Sequence, residues 1–358
     1  MNPLSKKGPL RVGIAGLGGI AKRTHLPILK LLPDYHVVCG AERDSYQRNR
    51  VAELFNIEEK YGDFIDMIDH AEIDAVFICL PATLHSKAVY ASLDKGLHVF
   101  CEKPMGLNSD EASKMVNMAI KANRVLMPGY NLRYVDNFIR AKELIESGKL
   151  GKIIHVNALF MNPGPYISWD PKSEWYLKEE SGGALYDVGS HIVDLLFYLF
   201  PHRIEELQAF ACKGYEPYGA ITNIVSSYRG EGGILGTIQI GWRSASEVCS
   251  LEFHGTAGTL FVSRRNFSYT HGATDPADRI AISTENVFRE FKSIVRKLNL
   301  MRKGIDVLDE FIQQAIMFWT LTAGKKQNRE DLQKSSLVHQ VLEAIESSLS
   351  KDEKNLIN

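Results

Sequence analysis

"LRVGIAGLGGIA", residues 10–21, is a short apolar run that ends in glycines and leads into a helical-looking stretch. Within it Gly16, Gly18 and Ala21 fall in the G-x-G-x-x-A arrangement. The first glycine permits a tight strand-to-helix turn. The second lets the backbone approach a pyrophosphate, and the small third residue lets the helix lie close to the sheet. Alone the pattern is weak, because glycines also punctuate ordinary turns between strand and helix. Its neighbourhood strengthens it: Glu42 ends the next strand, "YHVVCGAE", 26 residues after Gly16. A carboxylate there accepts both ribose hydroxyls of adenosine and repels a 2′-phosphate, so NAD is expected ahead of NADP. Arg43 cuts the other way, since a guanidinium could stack on adenine or bind that phosphate. A plain strand-end role is the alternative for Glu42.

Outward from this turn, strands and helices alternate. "YHVVCGA", "DAVFICL", "LHVFCE" and "RVLMPGY" read as strands, separated by helix-like stretches such as "SYQRNRVAELF", "HSKAVYASLDKG" and "SDEASKMVNMAIKAN". This pattern implies βαβ units and a parallel, doubly wound sheet. After "DNFIRAKELIESGKLG" the character changes. "KIIHVNALFM", "IEELQAFAC", "ITNIVSSYR", "GILGTIQIGWR", "VCSLEFHG" and "GTLFVS" are strands with few helices between them, the pattern of a mostly antiparallel sheet with its helices gathered on one face. "DVLDEFIQQAIMFWTL" and "LQKSSLVHQVLEAIESSL" make a helix-rich tail. The expected division is a dinucleotide-binding domain over 1–130 and an α+β domain over 131–358, the C-terminal helices being free to pack back on the first.

At 358 residues the chain is long for one domain. Lys plus Arg (42) nearly balance Asp plus Glu (43), so no global field recruits nucleic acid or membrane, and a small-molecule partner is expected. Cys39, Cys79, Cys101, Cys212 and Cys249 are scattered through strand-like runs without metal-site spacing or a disulfide framework; buried, reduced thiols are expected. "MNPLSKKGPL" has no apolar signal core behind its basic residues. No run approaches the ~18 apolar residues a spanning helix needs. The expected location is cytoplasmic.

"LHVFCEKPMGL", residues 97–107, closes an apolar strand with a charged pair and a proline. Strand ends at the carboxyl edge of such a sheet face the ligand crevice, so Lys103 is expected to point at the nicotinamide end. "PATLH", residues 81–85, ends the preceding strand beside the same ribose. Downstream, "SGGALYDVGSHIVDLLFYL" has Gly182 and Gly183 to loosen the backbone before a helix, on which Asp187, His191 and Asp194 are spaced to share one face. Paired with Lys103, that face would supply a cationic donor, an imidazole base and an orienting carboxylate. The competing readings are a solvated lysine, an N-capping Asp187, a core histidine at 191, or a metal held by the three. The metal is disfavoured, because a nucleotide fold already supplies a redox partner.

"GLGGIA", "PATLH", "CEKP", "GYNLRY" and "GGALYDVGSHIVDLL", in this order, resemble the Gfo/Idh/MocA family over nearly the whole chain. The resemblance implies a Rossmann domain followed by a substrate-binding and oligomerising domain with an open sheet. It further implies NAD or NADP, and hydride transfer to or from a secondary alcohol or ketone of a sugar, cyclitol or nucleotide-sugar. Lys103 then corresponds to the active-site lysine and Asp187 with His191 to the acid–base pair, while Asn131 and Arg133 stand at the mouth of the cleft. Cofactor contacts are expected from Gly16, Gly18, Gly19, Ile20, Ala21, Glu42, Arg43, Leu80, Pro81, His85, Glu102, Lys103 and Asn131. Ala82 departs from the asparagine of many members. Beside Lys103, Arg133, Asp187 and His191, the substrate is expected to meet Tyr166, Trp169 and Trp175. Together with Tyr176, these give the loop over 161–183 an aromatic density that suits stacking on sugar rings, or packing on itself. The basic stretch "FREFKSIVRKLNLMRKG", residues 288–304, could bind a diphosphate, lie on an anionic surface, or be a solvated helix face. By analogy a homodimer or homotetramer is expected. An NAD-dependent glycoside hydrolase and a dinucleotide sensor without chemistry are the alternative functions; sensors of this kind usually lose the lysine that this chain keeps.

Overall fold

A computed structural model describes residues 8–165, 177–178, 181–214, 219–272, 309–324, 327 and 329–351. Tyr166, Trp169, Trp175, Tyr176 and the basic stretch 288–304 lie outside the described residues. β1 (Leu10–Ala15) is buried from Val12 to its end, as a strand covered on both faces must be. It pairs in parallel with β2 (Tyr35–Ala41) on one side and β4 (Ala75–Ile78) on the other. With β3 (Glu59–Tyr61), β5 (His98–Cys101) and β6 (Leu126–Pro128) they form a six-stranded, all-parallel sheet in the order β3-β2-β1-β4-β5-β6. The crossovers carry a π-helical turn (Ala21–His25) running into α1 (Leu26–Leu31), then α2 (Ser45–Leu54), α3 (Phe64–His70), α4 (His85–Asp94) and α5 (Ser109–Ala122). Asp44, Asp63 and Asn108 cap α2, α3 and α5, each side chain accepting a first-turn N–H, contacts worth about 1 kcal/mol apiece. The doubly wound parallel sheet read from the sequence is what forms. The sequence reading contains neither β3, which is only three largely exposed residues, nor α3, a seven-residue helix whose Phe64, Met67 and Ile68 are buried at helical spacing.

The described residues fall into two compact units divided between Asn131 and Leu132, those from Asp309 to Ser336 returning to the first. That return brings α8 (Asp309–Thr322) onto the parallel sheet. Phe77 of β4 and Phe100 of β5 stack at 4.7 Å, and Phe318 of α8 stands edge-on to both at 5.3 and 6.0 Å. The buried Tyr35 hydroxyl donates to the Ala315 carbonyl at 2.5 Å. Beyond α8, the Gln327 side chain lies along β6: its amide donates to Leu126 O at 2.6 Å and its oxygen accepts Leu126 N–H at 3.4 Å.

The second unit is a seven-stranded sheet with α6 (Asp136–Glu146) and α7 (Ser190–Leu199) packed on it. Its strands are β7 (Ile153–Met161), β8 (Ile204–Lys213), β9 (Ile221–Gly230), β10 (Ile234–Gly241), β11 (Val248–Gly255), β12 (Gly258–Ser263) and β13 (Phe267–His271). The order is β13-β12-β11-β7-β10-β9-β8, antiparallel except where β10 runs beside β7. Burial alternates along the strands, so one face carries α7 and the other, among the described residues, is open. Ile154, Phe210, Val225, Leu235 and Val248 remain 40–62% exposed. β13 was not anticipated. Four of the five cysteines are buried, as expected, but Cys212 on β8 is exposed.

Phe318 tests the return of the chain to the first sheet. Phe318→Ala is expected to destabilise the first unit by about 3–5 kcal/mol, and Tyr35→Phe by about 1 kcal/mol. Urea titration followed by circular dichroism checks both; an unmoved first-unit midpoint in the alanine variant would refute the docking.

Candidate active site

In a parallel sheet all carboxyl ends share one edge, and the strand order reverses between β1 and β4, which opens a crevice there. Gly16 follows β1, Glu42 and Arg43 follow β2, Leu80 to His85 follow β4, Glu102 and Lys103 follow β5, and Asn131 follows β6. The fold thus brings the expected cofactor residues to one edge of one unit. Gly16 has φ +92°, and a Cβ on it would meet the Cys79 carbonyl oxygen at 2.6 Å, so only glycine makes this turn. At Gly18 the opposite holds: a Cβ would meet nothing within 4 Å. Gly18 keeps a hollow open instead of packing. Ala21 is fully buried where the helix meets the sheet, while Ile20 is 36% exposed.

Glu42 stands against this turn. Its carboxylate accepts Leu17 N–H at 3.3 Å and Asp44 N–H at 3.2 Å. The Gln47 amide joins Glu42 at 3.4 Å to Leu17 O at 3.1 Å. Arg43 is exposed. An open hollow at the start of a helix, with a fixed carboxylate beside it, fits the diphosphate and ribose of a dinucleotide. Residues 16–21 and Glu42 would hold it.

Behind Lys103 lies a buried histidine–carboxylate pair. His25 Nε2 and Glu102 Oε1 are 2.6 Å apart, and Glu102 Oε2 accepts the Lys103 N–H at 3.1 Å. Burial alone would push the Glu102 carboxyl up; the His25 bond and charge, with Lys103, outweigh it and hold the group below its ordinary 4.5. The Lys103–Pro104 peptide is cis. His85 is buried with Nδ1 at 2.8 Å from Pro104 O and Nε2 at 2.8 Å from Leu80 O. A neutral ring donates from one of these nitrogens and only the imidazolium from both, so this expected cofactor residue, seated between the end of β4 and the loop after β5, bonds one of the two carbonyls at a time. Burial lowers the pKa of His85 below 6.5 although both carbonyls favour the cation.

In the second unit, Asp187 sits inside a π-helical turn (Leu185–Gly189) that runs into α7. Its buried carboxylate accepts the Trp242 indole N–H at 3.1 Å. It caps neither element: Ala184 stands at the N-cap position of the π-helical turn and Gly189 at that of α7. His191 is half-buried in the first turn of α7, its ring 6.1 Å from that of Phe160. Asp194 receives the Arg133 guanidinium on both oxygens, through Nε at 2.8 Å and through the second nitrogen. Arg133 also lies 5.5 Å from the Tyr198 ring centroid. So Asp187 and Asp194 are fixed by different neighbours, and Arg133, expected as a substrate contact, is bound to Asp194. Gly182 and Gly183 do not loosen the backbone. Their φ values are +71° and +56°, and a Cβ on Gly183 would meet Ile221 O at 2.4 Å, so a tight approach requires them. Among the described residues no three His, Cys, Asp or Glu side chains are arranged to hold a metal ion. His25, Gln47 and Trp242 are absent from the sequence reading: His25 and Trp242 lie 77 and 55 residues from their carboxylates, and Gln47, five from Glu42, belongs to no motif.

The parallel sheet, the glycine turn and the carboxylate beyond β2 define a dinucleotide-binding domain of the Rossmann class. The model of the oxidoreductase family with an NAD-binding Rossmann fold matches residues 10–130, and that of the GFO/IDH/MocA C-terminal domain matches residues 138–261. The chain belongs to the Gfo/Idh/MocA family. It is 28% identical over 257 residues to myo-inositol 2-dehydrogenase of Thermotoga maritima, covering 70% of this chain and 75% of that one. Among solved structures, the WlbA dehydrogenase from Bordetella pertussis in complex with NADH and UDP-GlcNAcA superposes with a TM-score of 0.80 at 21% identity, over 96% of each chain. Scyllo-inositol dehydrogenase from Lactobacillus casei with bound NAD(H) and scyllo-inositol gives 0.75 at 20% identity, over 96% of this chain and 98% of that one. At such identities these two establish the fold. Several other curated relatives are spanned over only about half their length.

Gly16→Ala is expected to weaken NADH binding at least tenfold, measured by nucleotide fluorescence, since φ +92° and the Cys79 carbonyl both oppose it. Acid should also loosen the first unit in two stages. Below its ordinary 6.5, unfolded His85 takes a proton that the buried ring refuses, so stability falls with pH. Below 4.5 the unfolded chain likewise protonates Glu102 before the folded one does. His85→Asn should remove the upper stage from the pH dependence of unfolding; an unchanged profile would refute that assignment.

Proposed function

We propose that the chain transfers hydride between a nicotinamide carrier, NAD in preference to NADP, and a secondary alcohol or ketone on a cyclitol, sugar or nucleotide-sugar. The observation that carries this reading is the placement of Lys103. It leaves the carboxyl end of β5 on the edge that holds the glycine turn and Glu42, with a buried carboxylate fixing its main chain. In this reading residues 1–130 hold the cofactor and 131–358 the substrate.

The bound nicotinamide supplies the hydride acceptor, or the donor in the reverse direction. Lys103 hydrogen-bonds the reacting oxygen and stabilises its developing negative charge. His191 takes the hydroxyl proton, a role that typically contributes about 10²- to 10⁴-fold. Asp187, already held by the Trp242 indole, favours the imidazolium that results. Glu42 selects against a 2′-phosphate. The open sheet face bearing Phe210, Val225 and Leu235 suits self-association as a homodimer or homotetramer. No helix among the described residues is long and apolar enough to cross a membrane, and a cytoplasmic location accords with the reduced cysteines.

The test is a panel of myo-inositol, scyllo-inositol, free sugars and UDP-sugars with NAD and with NADP, read at the reduced-nicotinamide absorbance. Release of sugar from a glycoside without net NADH would instead indicate a hydrolase. Lys103→Met is expected to lose turnover at least about 100-fold while still binding NADH, and near-normal turnover would refute the assignment. His191→Ala should fall similarly and recover in part at higher pH. Unchanged kinetics would remove His191 from the chemistry.

A further inference from the structure

The His25–Glu102 pair is not needed to make a lysine available, yet it is built with care. The two residues are 77 apart in sequence, their side chains are 5% and 10% exposed, and their atoms meet at 2.6 Å. An ionised carboxylate only accepts, so His25 Nε2 carries the proton. The His25 ring has no room to swing: the rings of Phe77, Phe100 and Phe311 stand around it at 5.6, 5.1 and 6.4 Å. On the other side Gly129 comes so close that a Cβ there would lie 2.9 Å from Glu102 Oε2. The remaining titratable groups around the carboxylate are Lys103, His85 and the thiols of Cys79 and Cys101, both thiols pushed up by burial and by the Glu102 charge. An apolar pair of equal size would hold the fold about as well as a buried ion pair does. What the ion pair adds is direction: Nε2–H to Oε1, and Oε2 to the Lys103 N–H.

We propose that His25 is a positioning residue for the reaction. It holds Glu102 ionised and aimed at the Lys103 main chain, and so fixes where the Lys103 side chain leaves β5. The proposal rests on Lys103 being the acting lysine.

His25→Leu removes the donor, whereas His25→Gln offers an amide N–H in place of Nε2. With the panel substrate turned over fastest, kcat of His25→Leu at pH 7 should fall at least tenfold while the NADH Kd stays within about threefold. Its kcat should recover as pH rises, because burial raises the Glu102 carboxyl once the opposing His25 contact is gone, and a raised carboxyl is re-ionised by added base. His25→Gln should keep most of kcat and lack this pH limb. A merely structural histidine would lower the NADH-binding fraction in both variants and leave the pH profile unmoved. A readout without any substrate is labelling of Lys103 by pyridoxal 5′-phosphate and borohydride, located by peptide mass spectrometry. It should run severalfold faster in His25→Leu, whose Lys103 main chain is no longer held. Should the leucine variant fail to fold, Glu102→Gln is read by kcat and by labelling alone, since an amide at 102 has no proton to titrate and gives no pH limb. Labelling and kcat within twofold of the parent, or a kcat loss matching the loss of NADH sites, overturns the proposal. If Lys103→Met keeps its turnover, the reading of the function fails instead; if it is inactive and His25→Leu is normal, only this inference fails.

Discussion

Glu102 is a carboxylate placed where water scarcely reaches, and its two bonds decide how the first unit is joined at its working edge. An unpaired charge at such a depth would cost several kcal/mol, so the partners are obligatory. One is His25, from the helix that follows the glycine turn; the other is the Lys103 N–H at the end of β5. The bonds therefore couple the segment that leaves β1 to the segment that leaves β5, across β4. In a medium of low dielectric such bonds strengthen, and each restricts the rotamers of the next.

The rest of that edge follows from topology. Parallel strands deliver their carboxyl ends together, so residues such as His25 and Glu102, 77 positions apart, meet without any need for sequence proximity. His85 adds a second contact, its ring seated between carbonyls from two of these turns and donating to one of them in the neutral form. In the antiparallel unit a different device is used. Asp187 is presented by a π-helical turn and steadied by an indole that follows β10. The first unit has a π-helical turn as well, and it carries His25. The wider turn is poorly bonded and rarely tolerated, so its occurrence at both candidate positions is informative.

Much of this was legible in the chain. Apolar runs alternating with helical periods announced the parallel sheet, and glycine spacing announced its first turn, because both signals are local. Lys103, Asp187 and His191 stood out by their motifs. What could not be read depends on partners far along the chain: Glu102 with His25, Asp187 with Trp242, and Asp194 with Arg133, separated by 77, 55 and 61 residues. β3 and β13 are too short to show a period, and nothing in "DEFIQQAIMFWTLT" told which sheet it would join. Gly182 and Gly183 were misread because a glycine that loosens a chain and one that a tight approach demands look alike until φ is known.

Gln327 has a consequence for how the folded molecule behaves in a crowd. A bare outer strand offers a ladder of unspent main-chain groups onto which a stranger's chain can zip. At β6 the rung at Leu126 is already filled, donor and acceptor both, by one primary amide from the same molecule, and Pro128 contributes no N–H to the next. The parallel sheet is thereby finished on that flank, and a neighbouring copy finds no seam there at which to begin a cross-molecular pairing.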